Sequence, residues 1–131
     1  MQQALVDSSG FLVPVDRHDP AHEGTKDALL ALSKSGVALF STNFVRAEAH
    51  ALLGIRIGWD FARKWLEGFD LPLETVLPDD EVLARRTILA QADKICCFVD
   101  ATSFAVMQRL GIRLALTLDA HFRQAGFQTV P

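Results

Sequence analysis

Ala4-Leu5-Val6-Asp7 and Leu114-Ala115-Leu116-Thr117-Leu118-Asp119 are two short apolar runs that each close on an aspartate. Neither alternates apolar with polar residues as a half-exposed strand would, so each reads as a strand covered on both faces. Val37-Ala38-Leu39-Phe40 is a third run of the same kind, residues 73–77 a fourth, and residues 127–130 a fifth. Helical signals fill the intervals. Ala28, Leu29 and Leu32 recur at helical spacing within about residues 21–35, which Gly36 stops. Ser41 or Thr42 caps a helix running to about residue 57, before Gly58. Further helices are expected over about residues 59–67, from Pro78-Asp79-Asp80 to about residue 92, and from Asp100 to Gly111, with a short turn at 119–124. The stretch holding Pro14, Asp16, Asp19 and Pro20 reads as a loop. Strands separated by helices in this way predict an α/β protein, a three-layer α/β/α sandwich with a mostly parallel central sheet.

The 131 residues fit one domain, residues 1–131, with no repeat, low-complexity tract or linker to divide them. Half the residues are hydrophobic and the mean hydropathy is slightly positive, so a buried core is expected and wholesale disorder is not. No apolar run approaches the roughly 18 residues that cross a bilayer, and MQQALVDSSG lacks the pattern of a secretory signal. The expectation is a cytoplasmic protein, away from membranes, in a reducing compartment. Cys96 and Cys97 are adjacent, which suits neither a disulfide framework nor zinc spacing, and they read as small buried hydrophobes beside Ile95 and Phe98. No glycine-rich phosphate loop is present. The net charge of −3 opposes a simple electrostatic nucleic-acid binder. That objection weakens if several of the 16 acids gather at one point and a cation neutralises them.

Four acids stand where that gathering would occur. Asp7 and Asp119 follow strands, and ligands of parallel sheets bind beyond the carboxyl ends of strands. Taken singly, each equally suits a helix cap, Asp7 especially with Ser8 and Ser9 behind it. Glu48 shares a helical stripe with Phe44, Ala51 and Ile55, and a glutamate in an apolar stripe needs a partner. Arg46 and Arg56 are not at the spacing that would supply one. Asp100 opens a helix within an otherwise apolar stretch, where the helix dipole alone would also explain it. Were the four to converge, two charges about 5 Å apart at an effective dielectric near 20 repel by about 3 kcal/mol. Such a cluster must take up protons or a divalent cation, and oxygen ligands point to Mg²⁺ or Mn²⁺ rather than zinc.

At this point the sequence resembles the PIN-domain nucleases, in particular the VapC-type toxins of toxin–antitoxin pairs. The blocks are Leu5-Val6-Asp7-Ser8-Ser9, Ser41-Thr42-Asn43-Phe44-Val45-Arg46-Ala47-Glu48, Val99-Asp100-Ala101-Thr102-Ser103-Phe104 and Thr117-Leu118-Asp119-Ala120-His121-Phe122, with Gly126-Phe127 closing. The resemblance implies a metal-dependent endoribonuclease that hydrolyses RNA phosphodiester bonds. It implies Asp7 and Asp100 as principal metal ligands, and Glu48 and Asp119 completing the shell or holding the attacking water. Ser8, Thr102 or Thr117 would orient carboxylates. It also implies a homodimer, through an aromatic patch of Trp59, Phe61, Trp65 and Phe69 that is otherwise mostly core, and an antitoxin covering the acidic groove.

Three other readings compete: a housekeeping RNA-processing nuclease without antitoxin, a non-catalytic cation- or peptide-binding module, and a phosphoacceptor receiver. The last needs paired acids after the first strand, which this order does not supply. His18 and His22 stand four apart, but Pro20 between them argues for a solvated loop. His50 reads as surface, and His121 as a phosphate contact or a packing residue. Arg46, Arg109, Arg113 and Arg123 are candidates for phosphate contacts, each more simply a solvated surface residue.

Overall fold

The computed structural model describes residues 2–91 and 96–131. The chain runs β1 (Gln3–Val6), α1 (Ser8–Leu12), a 3₁₀ turn (Val13–Val15), α2 (His22–Lys34), β2 (Ala38–Thr42), α3 (Asn43–Arg56) and α4 (Trp59–Glu67). It continues β3 (Leu73–Glu74), α5 (Pro78–Ala90), α6 (Phe98–Leu110), β4 (Leu114–Leu116), α7 (Ala120–Gln124) and β5 (Gln128–Val130). The five strands form one sheet in the order β3-β2-β1-β4-β5, and every pairing is parallel. This is the expected sandwich.

The central strands β1 and β4 are apolar from Ala4 to Val6 and from Leu114 to Leu116 because both faces are covered. Leu5, Phe40 and Ala115 share one buried cluster with Val106, Met107 and Phe122. Ala4, Val6, Leu114 and Leu116 point the other way, into a cluster with Leu32 of α2 and Phe11 of α1. Alternate residues of one strand thus serve two cores. A third cluster, Leu12, Leu53 and Ala62, joins α1, α3 and α4. Phe122 anchors the C-terminal segment, its ring 4.9 Å from that of Phe104 and nearly perpendicular to it.

Topology fixes where a site can form. From β1 the chain goes first to β2 on one side, and later β4 enters on the other. The carboxyl ends of β1 and β4 therefore flank the point where the strand order reverses, the place where parallel sheets leave an open crevice. Asp7 leaves β1 and Thr117 leaves β4 at that point.

Several local expectations need correction. The stretch after Asp7 is not simply a loop: Ser8–Leu12 form a helix of five residues, followed by the 3₁₀ turn that Pro14 opens. The fourth strand is only Leu73–Glu74, because Val76 instead donates its N–H to Asn43 Oδ1 at 2.9 Å. α6 begins at Phe98 with Cys97 as its cap, so Asp100 lies in the first turn rather than at the start. Residue 92, the expected end of the preceding helix, lies outside the described residues. Gly111 closes α6 as expected, at φ 69°, a left-handed position that favours glycine.

Gly10 of α1 serves contact rather than conformation. A methyl group there would meet Val6 Cγ1 at 2.9 Å and the Leu116 carbonyl oxygen at 3.0 Å. The second neighbour is backbone and cannot move aside, so only glycine lets α1 lie against the ends of β1 and β4. Gly10→Ala is expected to lower stability by about 1–3 kcal/mol, read from urea unfolding. A variant as stable as the parent would show that α1 has room to shift.

Candidate active site

Asp7 ends β1, and its N–H is bound to the Leu116 carbonyl at 3.0 Å, so the strand pairing itself sets its position. The residue is 2% exposed. Its Oδ2 accepts a hydrogen bond from Thr117 Oγ1 at 2.8 Å, and the Ser8 N–H lies close to the carboxylate. Its Oδ1 is buried with no hydrogen-bond partner. Thr117 Oγ1 accepts from the Asp119 N–H at 3.0 Å and lies 3.4 Å from Ser9 Oγ. A hydroxyl has one proton, and Thr117 gives its own to Asp7, so Ser9 is the donor in that last contact. Ser9 Oγ in turn accepts from the Leu118 N–H at 3.0 Å. Two segments more than a hundred residues apart in sequence are stitched together here.

The other acids come from three helices. Asp100 sits in the first turn of α6, 4% exposed, with its N–H directed to Cys97 Sγ. Asp119 caps α7, and its Oδ1 accepts from the His121 N–H at 2.9 Å. His121 Nδ1 lies 2.7 Å from the same oxygen, off the alignment of a hydrogen bond. One ligand atom from each of Asp100, Asp119 and His121 falls within a mutual distance of 4.8 Å. Glu48 is half-buried in the second turn of α3, and its charge acts on Asp7.

Crowding shows in the titration. Burial pushes Asp7 up to about 6, opposed by the Thr117 and Ser8 hydrogen bonds and assisted by the charges of Glu48 and Asp119. Burial also raises Asp100, to about 8, aided by hydrogen bonding with Asp119 and by the charges of Asp7 and Asp119. For Asp119 burial again favours the neutral form, but hydrogen bonds from Asp100 and the His121 N–H outweigh it and hold the group low. Asp100 thus keeps the proton and Asp119 the charge. The orphaned Oδ1 of Asp7 beside these donors is what a divalent cation would satisfy, and the residues fit one.

The four acids proposed from the sequence are brought to this end of the sheet: Asp100 and Asp119 share one cluster with His121, and Asp7 and Glu48 lie near enough for their charges to act on one another. The supporting hydroxyls divide. Thr117 holds Asp7. Ser8 acts only through its backbone N–H, and Ser9, which the sequence reading passed over, makes the side-chain contacts. Thr102 orients no carboxylate: its Oγ1 donates to the Val99 carbonyl of its own helix at 2.6 Å.

The case for Glu48 rested on a wrong face. Ala51 and Ile55 are exposed, Ile55 at 74%, and the buried stripe of α3 is Val45, Ala49 and Leu53. Glu48 lies beside the core, and among the described residues it makes no salt bridge. Arg109 is no phosphate contact, being tied to Asp80 at 3.0 Å and to Glu74 at 3.0 Å. Cys96 is half-buried and Cys97 exposed, not a buried pair, and Ile95 lies outside the described residues. His22 is not solvated, since its Nδ1 meets the Val13 carbonyl at 2.8 Å, and His50 is half-buried, its ring 5.9 Å from that of Trp59. Arg46 stacks over the Phe69 ring. Of the aromatic patch, Trp65 and Phe69 pack on Phe11, whereas Trp59 and Phe61 stay exposed.

A five-stranded parallel sheet carrying these acids at its switch point defines the class. The chain belongs to the PIN domain family, which residues 4–128 match. It is 35% identical over 132 residues to the 23S rRNA-specific endonuclease VapC20 of Mycobacterium tuberculosis, covering 96% of each chain. The crystal structure of Mycobacterium tuberculosis VapC20, a sarcin–ricin loop cleaving toxin, superimposes with a TM-score of 0.82 at 30% identity, covering 95% of each chain. VapBC2 from Rickettsia felis, bound to a DNA fragment from its promoter, matches 98% of this chain and 97% of its own with a TM-score of 0.71. At 14% identity that second likeness is one of fold.

The raised carboxyls set a sign for pH dependence. Between the unfolded value near 4 and the folded values, the native state binds more protons than the unfolded chain. Stability in EDTA therefore falls as pH rises from 5 through 8. Above pH 7 the ionised Asp7 alone costs about 3 kcal/mol. Asp7→Asn should raise the melting temperature in EDTA at pH 8, and Mn²⁺ should stabilise the parent but not the variant. A melting temperature in EDTA that climbs toward pH 8 would contradict the assignment.

Proposed function

We propose that this protein is an endoribonuclease that hydrolyses RNA phosphodiester bonds with Mg²⁺ or Mn²⁺, and that it acts as the toxin of a toxin–antitoxin pair. The observation that carries the reading is Asp7: a carboxylate withdrawn from solvent, with one oxygen fixed by Thr117 and the other left without a donor. Kinship along 96% of both chains with an endonuclease specific for 23S rRNA supports RNA as the substrate.

In this reading Asp7 and Asp100 hold the cation, and Glu48 and Asp119 complete the shell. When bound, the cation supplies Lewis acidity toward the scissile phosphate and offsets charge developing in the transition state. Asp119 and Glu48 orient the attacking water, and one of these acids accepts its proton. Thr117 and Ser9 keep the carboxylates in register. That the relative is a toxin supports an antitoxin partner covering the acidic crevice. The exposed Trp59 and Phe61, with Ile55 and Ile57 near them in sequence, support a homodimer. No described helix is long and apolar enough to cross a membrane, and an RNA substrate supports a cytoplasmic location.

Cleavage of ribosomal RNA by the purified protein, read by mapping new 5′ ends, tests this. Asp7→Asn and Asp100→Asn should each lower the rate on the order of a thousandfold, and EDTA should abolish it. Equal cutting by either variant would end the proposal.

Thr117 offers a finer check. Thr117→Val removes the donor without changing shape and should reduce cleavage about ten- to a hundredfold, while Thr117→Ser retains it. A valine variant as active as the parent would remove Thr117 from the site.

A further inference from the structure

We propose that His121 is a nitrogen ligand of the cation, so that this centre takes Mn²⁺ in preference to Mg²⁺. The inference rests on the reading of the site as a divalent-cation centre and adds a donor to it that oxygen chemistry alone does not provide.

Geometry carries the argument. Adjacent ligands on an octahedral ion with bonds near 2.1 Å stand about 3 Å apart, and opposite ones about 4 Å. His121 Nδ1 and Asp119 Oδ1 are 2.7 Å apart, and one ligand atom from each of Asp100, Asp119 and His121 lies within 4.8 Å of the others. The 2.7 Å contact falls outside hydrogen-bond alignment, and Nδ1 is buried with no other partner. Two donors lying side by side is the arrangement of neighbouring ligands on a shared centre.

A second, separate observation points the same way. Asp7 Oδ1 is also buried without a partner, on a residue 2% exposed, and Asp7 interacts electrostatically with both Asp100 and Asp119. Buried polar atoms normally find a partner. Here an aspartate oxygen and an imidazole nitrogen both lack one, at the end of the sheet where the acids gather. Sequence position explains why His121 is available. Phe122 takes the core contact of α7, and Asp119 caps it, which leaves His121, two residues past the cap, with its ring beside the Asp119 carboxylate.

Donor type then sets ion preference. Mg²⁺ keeps oxygen ligands and waters, whereas imidazole favours transition ions. The other three histidines are placed elsewhere: His22 meets Val13, His50 faces Trp59, and His18 lies in an exposed turn. A histidine nitrogen on the ion therefore identifies His121.

Electron spin-echo measurements on Mn²⁺ bound to the full chain test this. Protein labelled with ¹⁵N at histidine should exchange a ¹⁴N coupling on Mn²⁺ for a ¹⁵N coupling, with no substitution needed. His121→Gln and His121→Ala should lose the coupling and weaken Mn²⁺ binding by about an order of magnitude, while Mg²⁺ affinity, read by competition, barely moves. Mn²⁺ bound without a histidine coupling, or with one that survives in both variants, would overturn the role of His121 and leave the cation centre standing. Failure of the parent chain to bind Mn²⁺ at all would overturn the cation centre, and His121 with it.

Discussion

The bond from Thr117 to Asp7 is the interaction on which the rest of the site depends. A carboxylate with almost no solvent contact, next to three other acids, would give up its charge or its position unless something held it. The Thr117 hydroxyl holds one oxygen, and its remaining capacity is used by Ser9 and by the Asp119 N–H. The same atom that fixes Asp7 therefore fixes the start of the loop that presents Asp119. Strand pairing supplies the coarse alignment, and one hydroxyl supplies the fine one.

That arrangement is possible because β1 and β4 are adjacent, parallel and in register, Val6 opposite Leu116. Parallel neighbours end at the same level, so the residues that follow them meet. The helices complete the set by their first turns: α6 brings Asp100, and α7 is capped by Asp119. Three of the acids thus sit where helix termini carry partial positive charge, which moderates the repulsion that the cluster would otherwise suffer.

How much of this could be read from the chain depends on whether the signal was local. Buried parallel strands are continuous apolar runs, so Asp7 and Asp119 stood out as the polar residues that end them. The five residues of α1 gave no such signal: a helix this short, containing Gly10 and followed by Pro14, lacks the periodicity that reveals longer ones. Ser9 was missed because its partners lie 108 and 109 residues away, and nothing near it distinguishes it from a cap. Thr102 was misassigned for the converse reason, since a hydroxyl within a helix reaches its own backbone first. For Glu48 the stripe was off by one residue, enough to turn a helix face by about 100° and make an exposed Ile55 look buried. Arg109 could not be recognised as structural without knowing that Glu74 and Asp80 lie beside it.

The distance along the chain between Asp7 and Thr117 has a further consequence for how such a protein comes into being. Synthesis runs from the N-terminus, and a nascent chain carries Asp7 more than a hundred residues before it holds Thr117 and Asp119. Contacts spanning nearly the whole sequence are also among the slowest to form, because loop closure must precede them. A polypeptide that has not yet grown past Asp119 therefore has no assembled centre.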